Sequence, residues 1–164
     1  MKRLFLACCM LLCSLAAQAD PALKRQVNAF VDRWHADAAH ARPAFFDKIA
    51  RDGVYIGTDK TERWRRDEFK AWARPHFKRE SAWAFKPLRR NVNFSQDRSI
   101  IWFDELLDTQ MGICQATGVL RRKGKGFEIV HYQLSMAIPN VVAGQVTRLI
   151  RDFETKDGWK GGPR

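Results

Sequence analysis

Three side chains in this sequence carry acid–base chemistry: Asp59 in "YIGTDKTERW", Asp104 in "SIIWFDELLDT" and Tyr132 in "FEIVHYQLSMAI". A carboxylate in an apolar cavity has its pKa raised and serves as a general acid or base. A phenol beside it donates a hydrogen bond to a developing oxyanion. Each carboxylate also has a structural role open to it. Asp59 suits the turn after "YIG", its carboxylate accepting from backbone N–H groups two residues on. Asp104 suits an ion pair with Arg89 or Arg90 of the preceding long strand. Side chains alternate along a strand, so Trp102, Asp104 and Leu106 share one face and Phe103, Glu105 and Leu107 the other. Asp104 and Glu105 are therefore not a carboxylate pair. On the last strand the more apolar set, Val130, Tyr132, Leu134 and Met136, is expected to face the helices. His131, Gln133 and Ser135 then face solvent or a partner subunit.

Other chemistries lack their residues. There is no glycine-rich phosphate loop, no nucleophile elbow and no Cys-x-x-Cys. His35, His40 and His76 have no ligand spacing to other metal-binding side chains, so neither a metal nor a cofactor is expected. The formal charge is +11, from 29 Lys and Arg against 18 Asp and Glu. The basic residues cluster at Arg63/Arg65/Arg66, Arg74/Lys78/Arg79, Lys86/Arg89/Arg90 and Arg121/Arg122/Lys123/Lys125. They fall in separate elements with no nucleic-acid motif, so a solvated surface weakly attracted to anionic surfaces is expected, with no specific nucleic acid.

The N-terminus has the order of a secretory signal peptide: Lys2 and Arg3, an apolar run from Leu4 to Leu15, then Ala17-Gln18-Ala19 before Asp20. The run is shorter than the about 20 residues a membrane span needs. Cleavage after Ala19 and a periplasmic or secreted location are expected. Removing residues 1–19 leaves 145 residues, a charge of +9 and Cys114 as the one remaining cysteine. That thiol, inside an apolar strand, reads as a small buried hydrophobe.

The elements that must position the site follow from periodicity. Asp20-Pro21 starts a helix over 21–40 whose apolar face is Leu23, Val27, Phe30, Val31, Trp34 and Ala38. "PAFFDKIA" is a short second helix, "VYI" a brief strand, and Arg66-Asp67 opens a helix that Pro75 ends. Four strands follow: "AWAFKPLRRNVNF", whose proline suits an edge or a bulge, "SIIWFDELLDT", "GICQATGVLRRK" and "FEIVHYQLSMAI". Asn140 caps a last helix with Val142, Val146, Leu149, Ile150 and Phe153 as its stripe. Helices first and strands after indicate an α+β fold, with one domain over 20–155 and a flexible tail over 156–164.

The blocks "GTDKTERW", "IIWFDELLD", "GICQATGVL" and "FEIVHYQLSMAIPN" resemble those of SnoaL-like domains in the nuclear transport factor 2-like superfamily, across roughly 24–140. The resemblance implies a cone-shaped, curved antiparallel sheet wrapped over N-terminal helices, a C-terminal helix, a deep pocket and, often, a homodimer that pairs sheets. It does not set an activity, because the superfamily holds isomerases, cyclases, dehydratases, epoxide hydrolases, binding modules and assembly domains. In its kinase association domains, pocket arginines occupy positions matching Asp104, Gly118 and Leu134, so their anion-binding chemistry is not inherited here. The pocket set is then Asp59, Trp64, Trp102, Asp104, Gly118, Tyr132 and Leu134, with Cys114 and Ala116 nearby if the third long strand has no bulge. Lys60, Glu62 and Arg63 are expected to face water. The function expected is binding of a small, partly apolar molecule in the cone. The alternatives are a cofactor-free isomerase, dehydratase or hydrolase using Asp59 or Asp104 with Tyr132, and an interaction module using the outer sheet face.

Overall fold

The structure is a computed structural model that describes residues 20–158. The signal-peptide reading, with Cys8, Cys9 and Cys13, lies outside the described residues. Helix α1, Pro21–Ala39, begins as its first residues dictate. The Asp20 Oδ1 accepts from the N–H groups of Ala22 and Leu23, both at 3.0 Å, and Pro21 fills the first turn. Its buried stripe is Leu23, Val27, Phe30, Val31, Trp34 and Ala38, with His35 and Asp37 alongside. Trp34 joins three elements. Its Nε1 donates to the Phe45 carbonyl at 3.1 Å, its ring stacks on Phe45, and its face receives the Tyr132 ring at 4.7 Å.

Helix α2 is Ala44–Asp47, β1 is Ile49–Ile56, β2 is Arg63–Arg65 and α3 is Arg66–Ala73. A meander follows: β3 Phe85–Phe94, β4 Ile100–Thr109, β5 Gly112–Lys123 and β6 Gly126–Met136. All six strands form one sheet in the order β2-β1-β6-β5-β4-β3. The sheet is not wholly antiparallel, as the sequence suggested. Strand β1 is longer than "VYI" and runs parallel to β6, while β2, too short to show a period, pairs antiparallel with β1. Gly53 permits the irregular β1–β6 register, since a Cβ there would sit 2.7 Å from the Ile129 carbonyl oxygen. The proline of β3 lies on the sheet edge, where the register shifts between Pro87 and Arg89.

Helix α4 runs Asn140–Asp157, with Pro139 rather than Asn140 at the cap and Gly158, φ +66°, closing it. The expected tail thus begins helical, and 159–164 lie outside the described residues. Its expected stripe is largely uncovered: Leu149, Ile150 and Phe153 are exposed, Val142 and Val146 are half-buried, and Val141 beside them is exposed as well. No helix among the described residues is long and apolar enough to cross a membrane.

Candidate functional site

The register of the meander decides which side chains meet. Residues directly opposite one another on neighbouring strands share a face. Phe103 lies opposite Gly118, and Gly118 opposite Tyr132. That row points inward, together with Ile101, Glu105 and Leu107 of β4, all buried. Asp104 lies opposite Thr117, and Thr117 opposite Gln133, on the outer face.

This corrects the expected orientation of β4. Trp102 is 44 % exposed, and Asp104 accepts a 2.8 Å hydrogen bond from the Asn91 side-chain amide on the outer face. The cause is the composition of the two faces. Ile101, Phe103 and Leu107 make the Glu105 face the more apolar one, and α1 covers it. The one acid among them is neutralised by partners from distant parts of the chain.

Glu105 is 2 % exposed, and its two oxygens are fully engaged. Oε2 accepts from Arg90 Nε at 2.8 Å, and Oε1 accepts from the Tyr132 hydroxyl at 3.1 Å. His35 Nε2 stands 3.1 Å from Oε1, off the line of an ideal hydrogen bond. Arg90 in turn reaches Asp32 Oδ1 at 2.8 Å and lies over the Phe103 ring. Arg90 thus pairs with Glu105 rather than Asp104. Burial pushes the Glu105 carboxyl upward, yet His35 and Arg90 outweigh it and hold the group below its ordinary value. Burial and the Glu105 charge push the Tyr132 phenol well above its ordinary range. An ionised acid fixed by a guanidinium, beside a neutral phenol, is a structural cluster.

A pH prediction follows from the lowered Glu105 pKa. Its contribution to stability is complete above the ordinary value of 4.5 and is lost as pH falls through the folded-state value. Acid titration of unfolding will therefore show a steeper loss below that point in the wild type than in Glu105→Gln.

An open aromatic site lies elsewhere, at the end of the sheet where β1 turns into β2. It is a cavity of about 130 Å³. Tyr55 comes from β1, Trp64 from β2, and Phe69 and Trp72 from α3; Trp83 and Phe85 stand at the start of β3, Met111 in the β4–β5 turn and Leu134 on β6. The rings lie nearly parallel. Tyr55 stacks on Phe69 at 4.0 Å, Trp64 on Phe69 at 5.3 Å, and Trp83 on Phe69 at 5.7 Å, with Trp72 4.5 Å from Trp64. Tyr55 and Leu134 face the cavity, and Tyr132 packs on Tyr55 at 5.4 Å, so the Glu105 cluster is one ring layer below it.

Three polar residues complete the lining: Thr58, Glu62 and Gln110. Glu62, expected to face water, turns inward because the hairpin holds it. Gly57 N–H donates to the Glu62 carbonyl at 2.8 Å, and Glu62 Oε2 accepts from Asp59 N–H at 3.2 Å. A Cβ on Gly57 would lie 2.2 Å from that oxygen, so the glycine makes its room. Burial, then the Glu62 charge, push the Tyr55 phenol well above its ordinary range, which keeps it a neutral donor.

Of the expected pocket residues, Trp64 and Leu134 line this cavity. Asp59 sits exposed on its lip and closes the turn, its Oδ1 accepting from Thr61 N–H at 2.8 Å and Thr61 Oγ1 at 2.6 Å. Tyr132 and Gly118 face inward but lie in packed core, the space beside Gly118 being filled by Phe103. Cys114 and Ala116 are buried in the same face. Tyr55, Phe69, Trp72, Trp83, Phe85, Met111 and Glu62 escaped sequence reasoning as lining residues; the four-tryptophan density from Trp64 to Trp102 is the signal that points toward three of the walls. Among the described residues no group of three or more His, Cys, Asp or Glu side chains is placed to hold a metal ion.

A curved sheet wrapped over a long N-terminal helix, with an opening at one end, is the nuclear transport factor 2-like fold. A protein of that type and unknown function from Pseudomonas putida KT2440 superposes with a TM-score of 0.62 at 14% identity, over 73% of this chain and 90% of that one. The sequence pattern of the SnoaL-like domain matches residues 27–139, and the chain belongs to that family. Similar too is a candidate aromatic ring hydroxylase from Novosphingobium aromaticivorans, TM-score 0.62 and 12% identity, over 74% and 94% of the two chains. A candidate ketosteroid isomerase from Parabacteroides distasonis reaches 0.57 at 15% identity, over 77% and 94%. No curated protein matches the sequence.

Proposed function

We propose that the protein binds a compact, largely apolar small molecule in the aromatic cavity between β1, β2, α3 and the β4–β5 turn. The observation that carries this reading is the preformed opening of about 130 Å³ walled by Tyr55, Trp64, Trp72, Trp83 and Met111. Concave, mostly apolar openings with a few placed polar groups are where small ligands bind. The small volume favours a single ring or a short branched group. Acid–base catalysis by Asp59 or Asp104 with Tyr132 finds no support in the geometry, since the three never face one space. Export rests on the N-terminal pattern. A homodimer is proposed through the outer sheet face, supported by the exposed Ile100, Trp102 and Ile113; sedimentation would read its mass.

The test is calorimetric titration with 4-methylphenol. A saturable heat is expected, with dissociation in roughly the micromolar to millimolar range for so few atoms. Trp72→Ala, at a half-exposed position that costs the fold little, will weaken it about tenfold. No saturable heat, or binding indifferent to Trp72, would contradict the proposal.

A further inference from the structure

We infer that the group this cavity selects is a compact organic cation, of the quaternary ammonium class. The inference rests on the binding reading above and narrows it. Its first support is charge. In a chain with 29 Lys and Arg, no Lys, Arg or His is among the residues lining the cavity, and its one carboxylate is Glu62. Lys60 of the hairpin reaches Glu154 on α4, Nζ to Oε1 2.7 Å. The overall positive charge opposes a cation only weakly, because exposed charges are screened within about 8 Å at physiological salt.

The second support is the walls. A cation is attracted to the face of an aromatic ring, tryptophan most strongly, and cages of such rings recognise quaternary ammonium groups. Three tryptophans gather here, Trp64 and Trp72 with centroids 4.5 Å apart and Trp72 and Trp83 6.2 Å apart. Trp72 packs against Trp64, Phe69, His76 and Trp83 yet is 43 % exposed, so part of its ring stays open to a ligand. Met111 adds a polarisable thioether. The third support is how Glu62 is held. Its Oε2 is fixed by Asp59 N–H and seated against Gly57, so the carboxylate needs no reorganisation to meet a positive charge. A phosphate or carboxylate ligand would meet this oxygen and find no cation among the lining side chains.

The test pairs choline with its uncharged isostere 3,3-dimethylbutan-1-ol, by calorimetry at constant ionic strength, with 4-methylphenol as the cavity control. Choline is expected to bind at least tenfold more tightly than the isostere. Glu62→Gln, whose amide oxygen still accepts from Asp59 N–H, will cut that preference several-fold, leaving only the share the rings supply, and leave the isostere unchanged. Trp72→Leu will weaken both. Equal or tighter binding of the isostere overturns the cation and leaves the cavity reading standing, as does binding of 4-methylphenol with none of choline. If none of the three probes binds, both readings fall.

Discussion

Replacing Glu105 by leucine will lower stability by roughly 3–5 kcal/mol, the cost of leaving a buried partner charge uncompensated. The unfolding midpoint should drop by about 10 °C or more. The Arg90 guanidinium, with its side chain 6 % exposed, loses the carboxylate at 2.8 Å, and the buried Tyr132 hydroxyl loses its acceptor. Asp32 still holds one Arg90 nitrogen, which sets a floor under the loss. Combining Glu105→Leu with Arg90→Met should recover part of it, since apolar groups of similar volume often replace a buried ion pair at little cost. Asp104→Ala, by contrast, removes one exposed hydrogen bond to Asn91 and should stay within about 0.5 kcal/mol. Urea unfolding of the wild type and these three variants gives the comparison. An Asp104 variant less stable than the Glu105 variant would reverse the assigned faces of β4.

Gly118→Val will destabilise by about 3 kcal/mol, at the upper end of what overpacking usually costs. A Cβ at this position would stand 2.3 Å from Phe103 Cζ and 2.4 Å from Cε1. The ring cannot retreat far. Phe103 is 1 % exposed, with the Arg90 guanidinium over it and Tyr132 6.3 Å away. The penalty is therefore steric rather than conformational, because the β5 backbone at Gly118 needs no left-handed φ. Phe103→Leu in the same chain should relieve most of it, and the double variant should be more stable than Gly118→Val alone. A fully additive loss would mean that the two side chains do not meet.

These variants mark the boundary between what could be read in the residues and what could not. The start of α1 was legible because Asp20 and Pro21 are local instructions. The long strands were legible because turn residues separate them, and the edge position of β3 followed from Pro87. The inner face of β4 was misread because Trp102 and Leu106 make its outward side look apolar. Glu105, taken alone, looks like a surface residue. Its burial depends on Arg90 and His35, which no local pattern ties to it. The cavity was half legible for the same reason. Trp64 and Leu134 stood in blocks that resemble a known family, whereas Trp72, Trp83 and Met111 come together only through packing. Glu62 reads as a solvated charge until Gly57 and Asp59 fold it inward.

The central claim is that the aromatic opening beside the β1–β2 hairpin binds ligand, and that neither the buried Glu105 cluster nor the outer sheet face does so. Tryptophan indole N–H resonances, assigned with single Trp→Phe variants and followed during titration with 4-methylphenol, test it most directly. Trp64, Trp72 and Trp83 line the cavity, Trp34 is buried in the core and Trp102 stands on the outer face. The first three signals should move together and saturate, while those of Trp34 and Trp102 stay in place. Movement of Trp102 with the cavity three unchanged would contradict the account.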